Sequence, residues 1–326
     1  MQSQATRTPA QRRTLSILVL LASSIASPLH APAWPAERSE TATLSGQELL
    51  KIGEIHDVQQ HWQETLTYYR LALSTFRAQQ QPQGIATSLV KIAAVNERQG
   101  KIRDAYDLLR EAVPLYGRTK DRAGQARALL ALGRMSARLG YGEEARSSLL
   151  QAQDLYRRIK QPAGRNETLI NLGLLDIGEG SMERGLVLLQ QAQQDARSRK
   201  DIDQQLATWL ALGDAHALGD RPQEAVAAYD AGLALAEAEH RVALEAKLQF
   251  RLAAAAAADD RLEDGIRSGK RALLLSQTLH DVEAEAAAWS LLHDFYRRAD
   301  RPEAEEAEQR ALTLYRNRSF SVHGGR

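Results

Sequence analysis

Apolar positions along this chain recur at spacings of three and four, and the resulting stripes return every forty residues. Between Ala123 and Pro162, Leu129, Leu132, Met135 and Leu139 share one face of a 3.6-residue helix. The spacing predicts a helix over Gln125–Leu139. Leu139-Gly140-Tyr141-Gly142 breaks it, because glycine tolerates the left-handed C-terminal cap. A second helix is expected from about Glu143, with Ala145, Leu149, Ala152 and Tyr156 as its buried stripe, and Gln161-Pro162-Ala163-Gly164 as the turn out.

Sliding by forty carries Leu132-Gly133 onto Ile92-Ala93, Leu172-Gly173, Leu212-Gly213 and Leu252-Ala253, with Ile52-Gly53 and Leu292-His293 at the ends. A small residue opens each second helix (Ala105, Ala145, Gly185, Ala225, Gly265), and another follows seven later (Ala72, Ala112, Ala152, Ala192, Gly232, Ala272). Gly84, Gly124 and Gly164 mark the start of copies. Gly100, Gly140 and Gly180, then Asp220, Asp260 and Asp300, mark the turn within them. In the last copy Ala304 and Ala311 fit only if the turn near Asp300 has lost a residue. Such a period is the signature of a stacked repeat array.

These residues resemble the tetratricopeptide repeat (TPR) family, whose pattern of bulky residue, Leu-Gly, Ala, Leu or aromatic, and Ala is met by Leu129, Leu132-Gly133, Ala145, Leu149 and Ala152. Trp209 and Trp289 fill the family's Trp-like place, while its Tyr-like place holds Asn96, Ser136, Asp176, His216 and Tyr296. The period of forty exceeds the family's usual length, so each helix is longer. The resemblance implies an all-α fold, a right-handed α-solenoid of about seven helix-turn-helix repeats over residues 44–318. It also implies a protein–protein interaction role rather than an enzymatic one.

Composition changes the picture little in the array and much before it. Net charge is +1, which gives no global field for nucleic acid or a membrane surface, and nucleic acid is not expected as a partner. The chain has no cysteine, which removes disulfides, thiolate metal sites and cysteine nucleophiles. Residues 1–33 read as a secretory signal: Arg7, Arg12 and Arg13 precede an apolar Leu15–Ala26, and Ala31-Pro32-Ala33 offers a cleavage site, with Ser24-Ile25-Ala26 competing. Arg12-Arg13 leaves twin-arginine export open, and an uncleaved anchor is the other alternative. The apolar core is too short to span a membrane, which takes about 20 residues, and no stable span is expected in the mature chain. A linker (34–43), the array (44–318) and a disordered tail (319–326) follow. Export places the array in a periplasm or outside the cell. The sixth copy carries Ala253 to Ala258, and is expected to be the thinnest helix of the array.

No phosphate-binding glycine loop, HExxH or Gly-x-Ser-x-Gly element is present, and no catalytic residue, metal site or cofactor is expected. Asp214 and Asp294 lie two repeats apart. His56 and His61, at spacing five, fall on different helical faces. Candidate partner-binding residues lie on the outward face of the first helices, which lines the groove in the family. Arg127, Arg134 and Arg138 fall within roughly 40° of one another, and Arg98 holds the place equivalent to Arg138. Matching places carry Ile170, Leu174 and Ile177, then Leu210 and Leu218, with Phe250 continuing the strip. Two readings stand for each group: an acid-capturing patch or a solvated face paired to Glu97 and Glu167, and an apolar anchor site or tighter packing between repeats. The family's carboxylate clamp finds only Asn171, with Ala131 and Ala211 at its equivalents. The expected partner is a protein or peptide, an acidic segment being one candidate feature. The alternative role is a sensing module acting with a separate effector polypeptide.

N-terminal sequencing of the exported chain should return Trp34 or Ser27. Recovery of Met1 on exported protein would end the cleavage reading.

Overall fold

The computed structural model describes the backbone of residues 44–323 and the side chains of residues 44–316. The signal and linker expected over 1–43 lie outside the described residues. Fourteen helices follow in order: α1 (Gly46–Val58), α2 (Trp62–Ala78), α3 (Pro82–Arg98), α4 (Ile102–Thr119), α5 (Arg122–Arg138), α6 (Gly142–Arg158), α7 (Pro162–Gly178), α8 (Met182–Ser198), α9 (Ile202–Leu218), α10 (Pro222–Ala238), α11 (Val242–Ala258), α12 (Leu262–Thr278), α13 (Val282–Arg298) and α14 (Glu303–His323). There is no strand among the described residues. The fold is an all-α helical solenoid. α14 runs past Ser319, where the sequence reading placed the start of a tail.

The forty-residue period is made of two equal beats. Gln60, Gln80, Gly100, Lys120, Gly140, Lys160, Gly180, Lys200, Asp220, His240, Asp260, His280 and Asp300 all have positive φ, one every twenty residues. Each closes the preceding helix in the same way. At Gly140 its N–H reaches Ala137 O at 3.1 Å and the Tyr141 N–H reaches Ser136 O at 2.8 Å, which is the Schellman arrangement. Glycine is favoured there because left-handed backbone costs other residues about 1 kcal/mol or more. Most joints carry that strain on a lysine, aspartate, glutamine or histidine. The first joint, where His61-Trp62 replaces the expected glycine turn, is built the same way with Gln60 at φ 58°.

The chain divides into two compact units meeting in sequence at Gln204 and Gln205. In the first, helices pack in succession from α1 to α8, and α1 also touches α3 while α5 touches α7. In the second, α10 to α14 pack in succession and α11 touches α13. First helices therefore form one layer and second helices the other. The burial follows: α5 buries nine residues and α6 five.

What lets the helices approach is the small-residue pattern. A Cβ at Gly133 would press on Leu149 and lie 3.2 Å from the Ala145 carbonyl, and one at Gly173 would lie 2.9 Å from the Gly185 carbonyl. Gly84, Gly124 and Gly164 have a reason that the sequence reading did not supply. Each lies in the first turn of a helix under an aromatic ring eight residues earlier, of Phe76, Tyr116 and Tyr156. Where the ring is missing (Ala196, Ala236, Ser276), the glycine is missing too (Gln204, Leu244, Ala284).

Two expectations change in detail. α11 is not thin: Ala253, Ala254, Ala255 and Ala256 are all buried, because methyl-sized side chains bring the neighbouring helices in close. The lost residue of the last copy is not in the turn, since the Arg301 N–H still bonds Tyr296 O at 2.9 Å. It is missing from the first turn of α14. There Ala304 N–H takes the Arg301 carbonyl three residues back, at 3.3 Å, where Ala105 and Ala145 take one four back.

The Tyr156–Gly164 contact predicts a change of sign. Gly164→Ala should destabilise the wild-type chain by about 1–3 kcal/mol through overpacking. In a Tyr156→Ala background it should stabilise by about 0.5–1 kcal/mol, glycine's usual cost in a helix. Denaturant melts of the four proteins read the difference.

Candidate functional site

The outward faces of the first helices carry the candidate side chains, and in the first unit they form a ladder of ion pairs between repeats. Lys91 Nζ lies 2.7 Å from Glu54 Oε1. Arg98 lies 2.6 Å from Asp57 Oδ1, with its guanidinium 4.8 Å from the centre of the Trp62 ring. Arg134 pairs with Glu97 and reaches Glu167 Oε1 at 3.5 Å, and Arg138 reaches Glu97 at 3.9 Å. Exposed Arg127 makes no ion pair among the described residues. An acid of one repeat thus meets a base of the next, because the forty-residue register stacks equivalent positions side by side. Three of the four arginines already hold carboxylates from this chain, as the paired-face reading of the sequence expects for Arg134. Each such exposed pair contributes about 0–1 kcal/mol.

The apolar candidates divide by burial. Ile170 and Ile177 are buried within the first unit, and Ile177 packs where a Cβ on Gly185 would sit. Leu174 is half-buried. In the second unit Phe250 is buried in a cluster with Ala253, Ile266, Leu291 and Leu292, Leu210 is half-buried, and Leu218 is exposed. Of the two sequence readings, burial of Ile170, Ile177 and Phe250 fits packing between helices, whereas Leu174, Leu210 and Leu218 keep exposed surface.

Polar residues at the Tyr-like place serve packing. Asp176 is buried, with Arg146 2.5 Å away from α6 and Arg184 2.9 Å away from α8, so one carboxylate ties three helices. In the first repeat the His56 ring stacks on Tyr68 at 5.3 Å, and burial holds its pKa below the usual histidine value. No group of three or more potential metal ligands occurs among the described residues, and no helix among them is long and apolar enough to cross a membrane.

The second unit holds a polar group that the sequence reading passed over. Tyr229, fully buried on α10, donates its hydroxyl to Asp214 Oδ1 on α9 at 2.6 Å. Arg251 on α11 is buried with its Nε 3.0 Å from the same carboxylate oxygen. Lys247, one helical turn before Arg251, lies beside them on the same face. Burial, and then the Arg251 charge, press the Lys247 pKa below the ordinary lysine value, while Asp214 acts in the other direction. Burial and the Asp214 charge push the Tyr229 pKa far up, so its proton stays in the hydrogen bond. Lys247 makes neither ion pair nor hydrogen bond among the described residues. The signal was present in the sequence: Arg251 continues the series Ala131, Asn171, Ala211, and Lys247 stands three repeats on from Arg127.

Comparison with known proteins shows the fold and no more. No family model matches the chain, and no curated protein matches it. Among solved structures, the apo form of RapI superposes with a TM-score of 0.61 at 11% identity, covering 74% of this chain and 89% of that one. A Rap protein complexed with Competence and Sporulation Factor gives 0.56 at 14%, covering 84% and 78%. A signal-transduction ATPase with a tetratricopeptide repeat sensor, from Pyrococcus horikoshii, gives 0.58 at 16%, covering 95% of this chain and 46% of that one.

Lys247 sets a pH test. Its pKa is lowered on folding, so the native state releases its proton first, and stability rises with pH between the depressed value and the unfolded value near 10.5. Lys247→Met should therefore raise the thermal midpoint at neutral pH, and the gain should shrink as pH climbs towards 10. A gain independent of pH would show that lost charge burial is not its cause.

Proposed function

From a TPR-type helical solenoid, we propose that this chain is an exported interaction scaffold that holds a segment of a partner protein against its first-helix faces. It performs no bond chemistry. The observation that carries this reading is Lys247, a half-buried amine one turn before Arg251 that makes no ion pair among the described residues, near an acid, Asp214, that already takes Arg251 and Tyr229. A carboxylate from outside completes that group. Buried charge-assisted hydrogen bonds contribute about 1.5–3 kcal/mol, which makes the amine a place where an acidic side chain or chain end docks. Arg127 adds an unpaired cation to the first unit's face, whereas Arg98, Arg134 and Arg138 would have to exchange internal partners to take part. Leu218 and the half-buried Leu174 and Leu210 offer apolar contact to a partner segment. Export rests on the basic, apolar and small-residue order of residues 1–33.

A sensing role beside a separate effector is the second reading. A Rap protein complexed with Competence and Sporulation Factor and a repeat array described as a sensor share this fold. In this chain such a sensor would bind its signal through the same face.

Affinity capture from the native extract tests the proposal with three baits: the wild-type array, Lys247→Glu, and Arg127, Arg134 and Arg138 all changed to Glu. The expected outcome is a protein held by the wild type, lost by Lys247→Glu and weakened by the triple variant, with affinity falling as salt rises. A partner held equally by all three would move the site off this face. Wild-type bait that holds no protein would overturn the scaffold reading.

A further inference from the structure

The two ends of the array are opposite halves of the same joint, and neither is covered by described residues. Within each unit, a first helix presents one apolar residue to the second helix of the preceding repeat. Val95, Met135, Leu175, Ala255 and Phe295 occupy this place and all are buried. Met135, for example, packs with Ala105, Tyr106 and Leu109. The first member of the series is Ile55, and it is 58% exposed. Ile52, in the series of Ile92, Leu132 and Leu172, is only half-buried, and neighbouring Val58 is 75% exposed.

The far end shows the complement. Phe76, Tyr116 and Tyr156 project from second helices against the first helix of the following repeat, and all are buried. With the one-residue shift of α14, Tyr315 takes that place and is 44% exposed. Leu312 takes the place of Leu73 and Leu273, both buried, and is 46% exposed. Solenoid arrays normally close such ends with polar capping faces. Here the glutamates of α14 (Glu303, Glu305, Glu306, Glu308) are exposed, but the apolar pair stays uncovered beside them.

We infer that a second copy of this chain covers these ends, with the α14 end of one copy docking on the α1 end of the next, as a repeat docks on its successor. Two observations select a second copy. The joint is one that the chain already makes between its own repeats, so the surfaces match by construction. The exposed residues are those whose equivalents that joint buries. Leu44 stands where Gly84, Gly124 and Gly164 admit a ring, so the joint between copies is shallower than the internal one and reversible. A head-to-tail contact of this kind joins unlike faces, so it can propagate from copy to copy beyond a dimer.

The test uses sedimentation velocity on the full chain, on Ile55→Glu and on Leu312→Glu. Both substitutions are at exposed positions and should leave the thermal midpoint within a degree or two of wild type. The wild type should form dimers and longer species with rising concentration. Each variant alone should be monomeric, having one dead end. An equal mixture of the two should recover a dimer and nothing larger, because each variant keeps the end that the other lacks. A wild type that is monomeric throughout, variants that still self-associate, or a mixture that stays monomeric would each overturn the inference. So would a monomeric wild type whose midpoint drops on Ile55→Glu, which would assign the α1 face to the chain's own N-terminal segment.

Discussion

Close approach of helix backbones is the constraint on which this architecture depends. A solenoid of long helices has no central core; each helix buries its stripe only against the helices before and after it. Contact at Gly133 over Ala145, Gly173 over Gly185 and Gly164 under Tyr156 sets the distance at which every other side chain must fit. Glycine weakens a helix by roughly 0.5–1 kcal/mol, and burial of a leucine or tyrosine against it returns about 1.5–3 kcal/mol. The exchange is favourable only while the partner is large. At the place of Gly84, Gly124 and Gly164 glycine and ring are lost together in later repeats, while Gly213 under Tyr229 and Gly265 under Phe295 make the same exchange elsewhere.

The fold was legible because it repeats. Leu132-Gly133 and Ala145 to Ala152 recur in register, and the structure places them on the facing sides of paired helices. Helix ends were less legible. Only three of the thirteen left-handed joints carry glycine, and Lys120, Lys160 and Lys200 give no local warning of the same conformation. The alanine run of α11 misled for a related reason: side-chain size was taken as a measure of burial, when small side chains permit it.

The candidate site was legible only in part. Helical spacing put Arg127, Arg134 and Arg138 on one face correctly, and the pairing of Arg134 with Glu97 and Glu167 could be read from the register. Burial of Ile170, Ile177 and Phe250 could not, because it depends on how far neighbouring first helices interlock. Lys247 and Arg251 were missed because the series through Ala131, Asn171 and Ala211 was followed one repeat too short. The coupling of Tyr229 to Asp214 joins residues fifteen apart on two helices, and becomes visible only once the helices are placed.

The tightened first turn of α14 bears on how such a chain can change over generations. Dropping one residue rotates everything downstream by about 100° around its helix. In the middle of the array that turn would swing every later stripe away from its partner, and no single substitution could repair it. At Arg301–Ala304 only α14 follows among the described residues, so a single stripe is turned. Inheritance should therefore leave the twenty-residue spacing between interior joints untouched and accept length changes at the final helix.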